Sequence, residues 1–213
     1  CKHLAVTHKQ ISYAMNLSPR YEAALVMATQ LHASQKRKGT SIPYVSHLLA
    51  VSSLVLEHGG SEDQAIAALL HDAVEDQGGL PTLDKIRDHF GDVVAEIVDH
   101  CTDAYEEPKP EWRIRKEEYI ASIAKKPLCA ALVSCADKLH NARAILNDLR
   151  TLGDELWGRF TGGKEGTLWY YQSLASAFND ALGNSLSEEL KRTVKEMDDL
   201  AKGRTAAPEQ GDS

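Results

Sequence analysis

The sequence predicts an all-α fold, a compact bundle of roughly nine or ten helices. Apolar residues recur at helical spacing through nearly every segment, and no useful stretch alternates with the period of a β-strand. Aromatic residues make up only 6% of the 213 positions, a composition that favours Ala- and Leu-rich helices over a β-sandwich. The chain is also long enough to bury a full hydrophobic core.

Capping and helix-breaking residues divide the chain into the predicted helices. Ser18 and Pro19 would begin the first helix, and the glycine pairs at 59–60 and 78–79 would end the next two. The predicted helices cover residues 21–36, 46–57, 61–76, 82–89, 92–103, 111–125, 127–150, 168–181 and 187–202. Because no linker or repeat interrupts them, we predict one domain at 20–202, an N-terminal extension at 1–19 and a disordered tail at 203–213.

Charge and composition narrow the classes of partner. The net charge of -7 makes polymeric DNA or RNA a poor partner, whereas a small anionic substrate needs only a local basic patch. No run of eighteen apolar residues predicts a membrane span, and the N-terminus lacks the apolar region of a signal peptide. The four cysteines form no CxxC pair, so we predict reduced thiols and a cytoplasmic location. The sequence does not indicate an oligomeric state.

The strongest chemical clue is an apolar helix that ends in charged residues. Positions 65–70 are all apolar, and His71, Asp72, Glu75 and Asp76 follow. Acids at a helix C-terminus oppose the helix dipole, and like charges four residues apart repel, together at a cost of about 1 kcal/mol. A bound cation would remove this conflict. A solvated helix end in which His71 caps a carbonyl would explain the segment equally well.

Two other positions carry weaker signals. Asp137 lies one step from the buried stripe of the helix at 127–150, where a carboxylate needs a metal or a base as partner. Asn141 shares its face. Taken alone, Asp137 is more simply interpreted as a surface partner of Lys138 or Arg143. His47, which opens a helix after the segment IPYVS, is by itself an ordinary cap or surface residue.

Together these residues form a pattern on successive helices, in the order His47, His71-Asp72, Asp137. Two imidazoles and two carboxylates suit a divalent ion, with Mn²⁺ the first choice and Fe²⁺, Zn²⁺ or Mg²⁺ as alternatives. The order H…HD…D resembles that of the HD superfamily of metal-dependent phosphohydrolases.

Four longer blocks sharpen this resemblance. The runs LHASQKRKG with PYVSH, LLHDAVEDQG, CADKLHNAR and GTLWYYQSLA are similar to blocks of the hydrolase domain of RelA/SpoT-type alarmone enzymes. The similarity spans roughly residues 21–178, and no second region resembles a synthetase. The chain therefore looks like the small, single-domain alarmone hydrolases, which include the metazoan SpoT homologue.

The resemblance implies a role for each matching residue. The implied metal ligands are His47, His71, Asp72 and Asp137. The residues that would position or activate water are Glu75 and Asp76. The implied substrate contacts are Arg37, Lys38, Asn141, Arg143 and Tyr171. This chain departs from the family pattern at Ala144, where several members carry Thr, and in the length of its GTSI loop before Pro43.

The leading hypothesis is removal of the 3′-pyrophosphate from (p)ppGpp or (p)ppApp. Such a reaction needs a water nucleophile, a Lewis acid and cations to offset phosphate charge. Lys36, Arg37 and Lys38 could supply the cations. A second basic cluster lies at 113–116, but an exposed face paired with Glu117 and Glu118 explains it more simply. The alternatives are an HD phosphohydrolase of another nucleotide, such as NADPH at its 2′-phosphate or a nucleoside monophosphate, and a non-catalytic HD module that binds a nucleotide.

Overall fold

The computed structural model describes residues 16–102 and 110–203, and within these ranges it contains helices and no β-strand. The all-α class predicted from the sequence is confirmed. A 3₁₀ helix spans Gly153–Arg159. The α-helices of the described residues are α1 (Pro19–Leu31), α2 (Val45–Glu57), α3 (Glu62–Leu70), α4 (Ala73–Asp76), α5 (Leu80–Phe90), α6 (Asp92–Cys101), α7 (Trp112–Ile123), α8 (Leu128–Leu152), α9 (Gly163–Leu182) and α10 (Ser185–Ala201).

The predicted bounds of the domain and its two flanking segments can be compared with the described residues. Most of the predicted extension at 1–19 and nearly all of the predicted tail at 203–213 lie outside the described residues. The helices run from Pro19 to Ala201, close to the predicted domain at 20–202. None of the helices in the described part of the chain combines the length and apolar character needed to cross a membrane.

Local side-chain chemistry sets several helix boundaries. Ser18 accepts a hydrogen bond from the backbone N–H of Arg20, and Pro19 occupies the first turn of α1, where its missing N–H costs nothing. Ser61 and Gln64 form a reciprocal capping box at the start of α3. These caps satisfy backbone N–H groups that would otherwise have no partner, and they fix where α1 and α3 begin.

The core is centred on α3 and α8. Residues 65–70 of α3 are fully buried, because α1, α2, α6 and α8 all pack around this helix. The long α8 also packs against α2, α6, α9 and α10. Side chains carried by these two helices are therefore held by packing on most sides, which favours a rigid site.

The predicted single helix at 61–76 is wrong in one respect that matters for the site. The structure ends α3 at Leu70, and His71 and Asp72 form the junction with the short α4. Glu75 and Asp76 consequently belong to the first turn of α4 rather than to the C-terminal end of α3. Glu75 and Asp76 are the last two residues of the single-turn α4, so they do not lie at the C-terminal end of the α3 dipole, and the conflict inferred from the sequence does not arise in that form.

Candidate metal centre and substrate cavity

The four residues of the predicted H…HD…D pattern meet in space. His47 comes from α2, His71 and Asp72 from the α3–α4 junction, and Asp137 from the middle of α8. Nε2 of His71 lies 3.0 Å from Oδ2 of Asp72, and Nε2 of His47 lies 3.2 Å from Oδ1 of Asp137. One ligand atom from each of His47, His71 and Asp137 lies within 4.8 Å of the others.

The two imidazoles present free nitrogen atoms to this centre. His47 is 1% exposed and His71 is 3% exposed, yet neither Nε2 atom has a hydrogen-bond partner among the described residues. Nδ1 of His71 donates to the carbonyl oxygen of Ala68 at 2.8 Å, so Nε2 is the nitrogen that can take up either a metal ion or a second proton. Nδ1 of His47 lies 2.7 Å from Nδ1 of His140. Buried, unpartnered nitrogens between two carboxylates fit a divalent cation.

The pKa shifts of the residues at the centre also indicate that it favours a cation. Burial opposes ionisation of Asp72 and Asp137, but neighbouring positive and hydrogen-bonding groups outweigh it and hold the pKa of each carboxyl well below its usual range. For Asp72 the strongest favourable partner is His71, and for Asp137 it is Lys138. Burial lowers the pKa of His71, yet the two carboxylates outweigh burial and raise it well above 6.5. The site therefore strongly favours a positive charge among its carboxylates.

Three side chains orient the two carboxylates. The hydroxyl of Tyr44 donates to Oδ2 of Asp72 at 2.6 Å; burial and Asp72 raise the pKa of this phenol, so it stays protonated. Asn141 donates to Oδ1 of Asp137 at 2.5 Å, and Lys138 to Oδ2 at 2.7 Å. The pairing with Lys138 thus exists, but Asp137 is only 7% exposed, so the interpretation as a surface pair does not hold.

The candidate water-activating acids lie beside the centre on α4. Glu75 is half-buried, and Oδ2 of Asp76 accepts a hydrogen bond of 2.8 Å from Gln35. Asp76 is exposed, yet partial desolvation of its carboxyl raises its pKa; the Gln35 bond opposes this shift, and the charges of Asp72 and Glu75 add to it. A raised pKa makes a carboxylate a stronger base.

A cavity of about 460 Å³ opens next to the centre. Tyr44, His140 and Asn141 line it and also contact the candidate ligands. Among the predicted substrate contacts, those that line the cavity are Arg37, Lys38, Asn141 and Tyr171. Arg143 is not one of them: it is exposed and forms an ion pair with Glu189 of α10, because its position on α8 turns it away from the cavity.

Several residues of the site carried no distinct signal in the sequence. Tyr44 and His140 lie inside the PYVSH and CADKLHNAR blocks, but their contacts depend on residues from other helices. Arg159 and Phe160 reach the cavity from the 3₁₀ helix and the residue after it, a region without apolar periodicity. Gly39, at φ 73°, brings the loop close to Arg159.

Of the second basic cluster, Arg113 is exposed and pairs with Glu117, whereas Arg115 and Lys116 are half-buried. Arg113 donates to Glu117 at 2.7 Å, and its guanidinium lies 3.2 Å from the ring centre of Trp169. Arg113, Arg115 and Lys116 do not line the cavity beside the centre. The basic residues that line that cavity are Arg37, Lys38, His140 and Arg159.

Burial lowers the pKa of His140 to about 4, with the charges of His47 and Arg37 adding to the effect. The ring is therefore neutral near pH 7. A neutral imidazole has one N–H donor and one acceptor nitrogen, which constrains how His140 can pair with His47.

Comparison with known proteins shows which family this chain belongs to. The family model described as HD domain matches residues 24–167, more than half of the chain, so this chain belongs to the HD domain family. It is similar to guanosine-3′,5′-bis(diphosphate) 3′-pyrophosphohydrolase MESH1 of Xenopus tropicalis, at 38% identity over 144 residues that cover 64% of this chain and 75% of that protein. The resemblance to alarmone hydrolases is thereby confirmed.

Two further relatives show the extent of the similarity. A probable GTP pyrophosphokinase of Mycobacterium leprae is 36% identical over 146 residues, which are 67% of this chain but only 18% of that protein. A solved structure of a metazoan orthologue of SpoT, described as hydrolysing ppGpp, superimposes with a TM-score of 0.71 and 26% identity. That match covers 90% of this chain and 100% of the other, which confirms the predicted HD-domain bundle.

Proposed function

We propose that this chain is a metal-dependent 3′-pyrophosphohydrolase of guanosine 3′,5′-bis(diphosphate)-type alarmones, (p)ppGpp or (p)ppApp. The observation that carries the proposal is that two features adjoin: the buried group His47, His71 and Asp137, with the partly exposed Asp72 beside it, and a cavity of about 460 Å³ lined by Arg37 and Lys38. The similarity to MESH1, whose name gives this activity, supports the choice of substrate.

His47, His71, Asp72 and Asp137 would hold the metal. Their mixed nitrogen and oxygen donors favour Mn²⁺, with Fe²⁺, Zn²⁺ and Mg²⁺ as alternatives. When bound, a divalent ion supplies Lewis acidity, which polarises a phosphoryl oxygen and lowers the pKa of water. Tyr44 and Asn141 would keep the carboxylate oxygens of Asp72 and Asp137 directed at the centre, through their hydrogen bonds to these oxygens.

Glu75 and Asp76 would accept the proton of the attacking water at a carboxylate oxygen. Both follow Asp72 within one turn of α4, and the raised pKa of Asp76 suits a general base. In the reaction, water forms a bond to the phosphorus attached to the 3′-oxygen, and the bond from that phosphorus to the 3′-oxygen breaks. Pyrophosphate leaves, and the 3′-oxygen takes up a proton to become a hydroxyl group.

Arg37 and Lys38 would offset the negative charge of the substrate phosphates. Without cations, the phosphates would repel the acidic residues of the centre. Tyr171 and Phe160 give the same cavity aromatic surface for a nucleoside. Arg143, which pairs with Glu189 outside the cavity, has no part in this proposal.

The test is product analysis with purified protein and Mn²⁺. We expect release of pyrophosphate from ppGpp or ppApp, and no release by Asp137→Asn; Asp88→Asn, at an exposed position on α5, is the matched control. Release of orthophosphate from NADPH or a nucleoside monophosphate, with ppGpp and ppApp intact, would establish the alternative phosphohydrolase. Tight nucleotide binding without turnover at any metal would establish the non-catalytic module.

The state of the thiols supports the proposal that the protein is located in the cytoplasm. Cys101, Cys129 and Cys135 are free in the described structure, and burial raises the pKa of the Cys101 and Cys135 thiols, which makes them unreactive. Free, inert thiols agree with the reducing cytoplasm. Fractionation of cells that produce the protein would test this location.

A further inference from the structure

His140 connects the candidate metal centre with the substrate cavity. Its Nδ1 atom lies 2.7 Å from Nδ1 of His47, and the two residues are 93 positions apart on α8 and α2. The ring is half-buried and lines the cavity. No described residue forms a hydrogen bond with Nε2 of His140, and this atom is not enclosed by the protein.

Two imidazole nitrogens at hydrogen-bond distance share one proton. His47 can bind a metal through Nε2 only if its own proton is on Nδ1, so Nδ1 of His47 must be the donor. Nδ1 of His140 is then the acceptor. An imidazole ring whose Nδ1 is bare carries its proton on Nε2, and the His140 ring lines the cavity.

We propose that His140 has two functions: its Nδ1 positions the metal ligand His47, and its Nε2–H donates a hydrogen bond to the anionic substrate in the cavity. The second function depends on the proposed alarmone hydrolase activity, whereas the first depends only on the metal centre. The hydrogen bond between His47 and His140 thereby links two features: the tautomer in which His47 can bind the metal, and the protonated Nε2 that His140 presents to the substrate.

Two substitutions separate the functions, because amide side chains reproduce the two ring nitrogens individually. In His140→Asn, the amide oxygen takes the place of Nδ1 and can still accept from His47, but the cavity donor is lost. In His140→Gln, the longer side chain places its amide near Nε2 and leaves His47 without its acceptor. His89→Asn, at an exposed position on α5, is the control for loss of an imidazole elsewhere.

The first measurement is the Mn²⁺ dissociation constant of the metal-free protein, by titration calorimetry. We expect His140→Gln to weaken Mn²⁺ binding roughly 10- to 100-fold, the range for lost partners of metal ligands, and His140→Asn to stay near wild type. With Mn²⁺ saturating, His140→Asn should raise the KM for ppGpp about tenfold, since a hydrogen bond to a charged group is lost. Equal Mn²⁺ affinities in wild type and both variants, or equal losses in both, would overturn the positioning function.

A second measurement needs no substitution and no substrate. Nitrogen-15 NMR of the Zn²⁺-loaded protein reports the tautomer of each ring. We expect His140 to show a bare Nδ1 and a protonated Nε2; the opposite tautomer would refute the inference outright. If wild-type protein does not hydrolyse ppGpp, the proposed function fails, while the Mn²⁺ and NMR results still decide whether His140 orients His47.

Discussion

Arg37 donates a hydrogen bond of 2.7 Å to Oδ1 of Asn141, across 104 residues of chain. The other end of the same amide donates to Asp137. Asn141 thus joins a cation of the cavity to a proposed metal ligand, and only one orientation of the amide satisfies both contacts. Lys38 lines the same cavity but forms no hydrogen bond with the centre among the described residues, so the two cations should differ in what their loss affects.

Alanine at Arg37 or Lys38 should raise the KM for ppGpp, by an amount that corresponds to about 1–3 kcal/mol for a charge-assisted hydrogen bond. Arg37→Ala should also weaken Mn²⁺ binding, because Asn141 loses its partner, whereas Lys38→Ala should not. Steady-state kinetics and Mn²⁺ titration measure both effects, with Lys85→Ala on α5 as the exposed control. An unchanged KM in both variants would mean that neither cation holds substrate. For the wild type, KM should rise with salt.

Asp137→Asn and His71→Ala should abolish both metal retention and turnover while the helix content persists. Each change removes a proposed ligand, and Asn keeps the shape of Asp without its charge. Elemental analysis after gel filtration, with circular dichroism as the folding check, gives the answer. Full metal content in Asp137→Asn would show that Asp137 is not a ligand.

Glu75→Gln should lower kcat by about 10²-fold with little loss of bound metal, since a general base contributes on that order. Glu96→Gln, at an exposed position on α6, should leave kcat unchanged. A change confined to KM in Glu75→Gln would assign that residue to binding, and a full loss with Asp76→Asn alone would make Asp76 the base.

The stability of the metal-free protein should fall as the pH rises above about 6.5. The pKa of His71 is raised in the folded state by Asp72 and Asp137. A group with a raised pKa stabilises the fold fully below its unfolded pKa, near 6.5, and this contribution is lost as the pH passes through the higher folded value. Thermal melting in EDTA from pH 6 to 9 should show a decline that His71→Gln reduces.

Metal should reverse that dependence, because a cation and a proton compete for Nε2 of His71. With saturating Mn²⁺, the melting temperature should rise over the same pH range. Parallel declines with and without Mn²⁺ would mean that the metal does not bind at His71.

Gly60→Ala should destabilise the fold by about 1–3 kcal/mol, the range for overpacking. A Cβ atom there would lie 2.4 Å from Cγ1 of Val55 and 2.8 Å from its carbonyl oxygen, which cannot move without disturbing α2. At Gly158 a Cβ would meet nothing within 4 Å, so Gly158→Ala is the matched control. Urea unfolding of the two variants tests the difference, and equal midpoints would contradict it.

The sequence by itself determined the helical class, most helix positions and the residue types of the candidate metal centre. Helical periodicity and capping act within a few residues, so they can be read locally. The order of His47, His71-Asp72 and Asp137 along the chain is likewise visible in the sequence alone. The helix break at His71 is not, because nothing in the apolar run signals an end ahead of the glycines at 78–79.

Only the tertiary structure decided which side chains meet across helices. The contact of Tyr44 with Asp72 spans 28 residues, and that of His47 with His140 spans 93. Such contacts depend on how one helix is rotated and shifted against another, which no local pattern encodes. The same rotation directs Asn141 into the cavity and Arg143, two positions further along α8, towards Glu189. Neighbours on a helix point in different directions, so their functions separate only once α8 is packed.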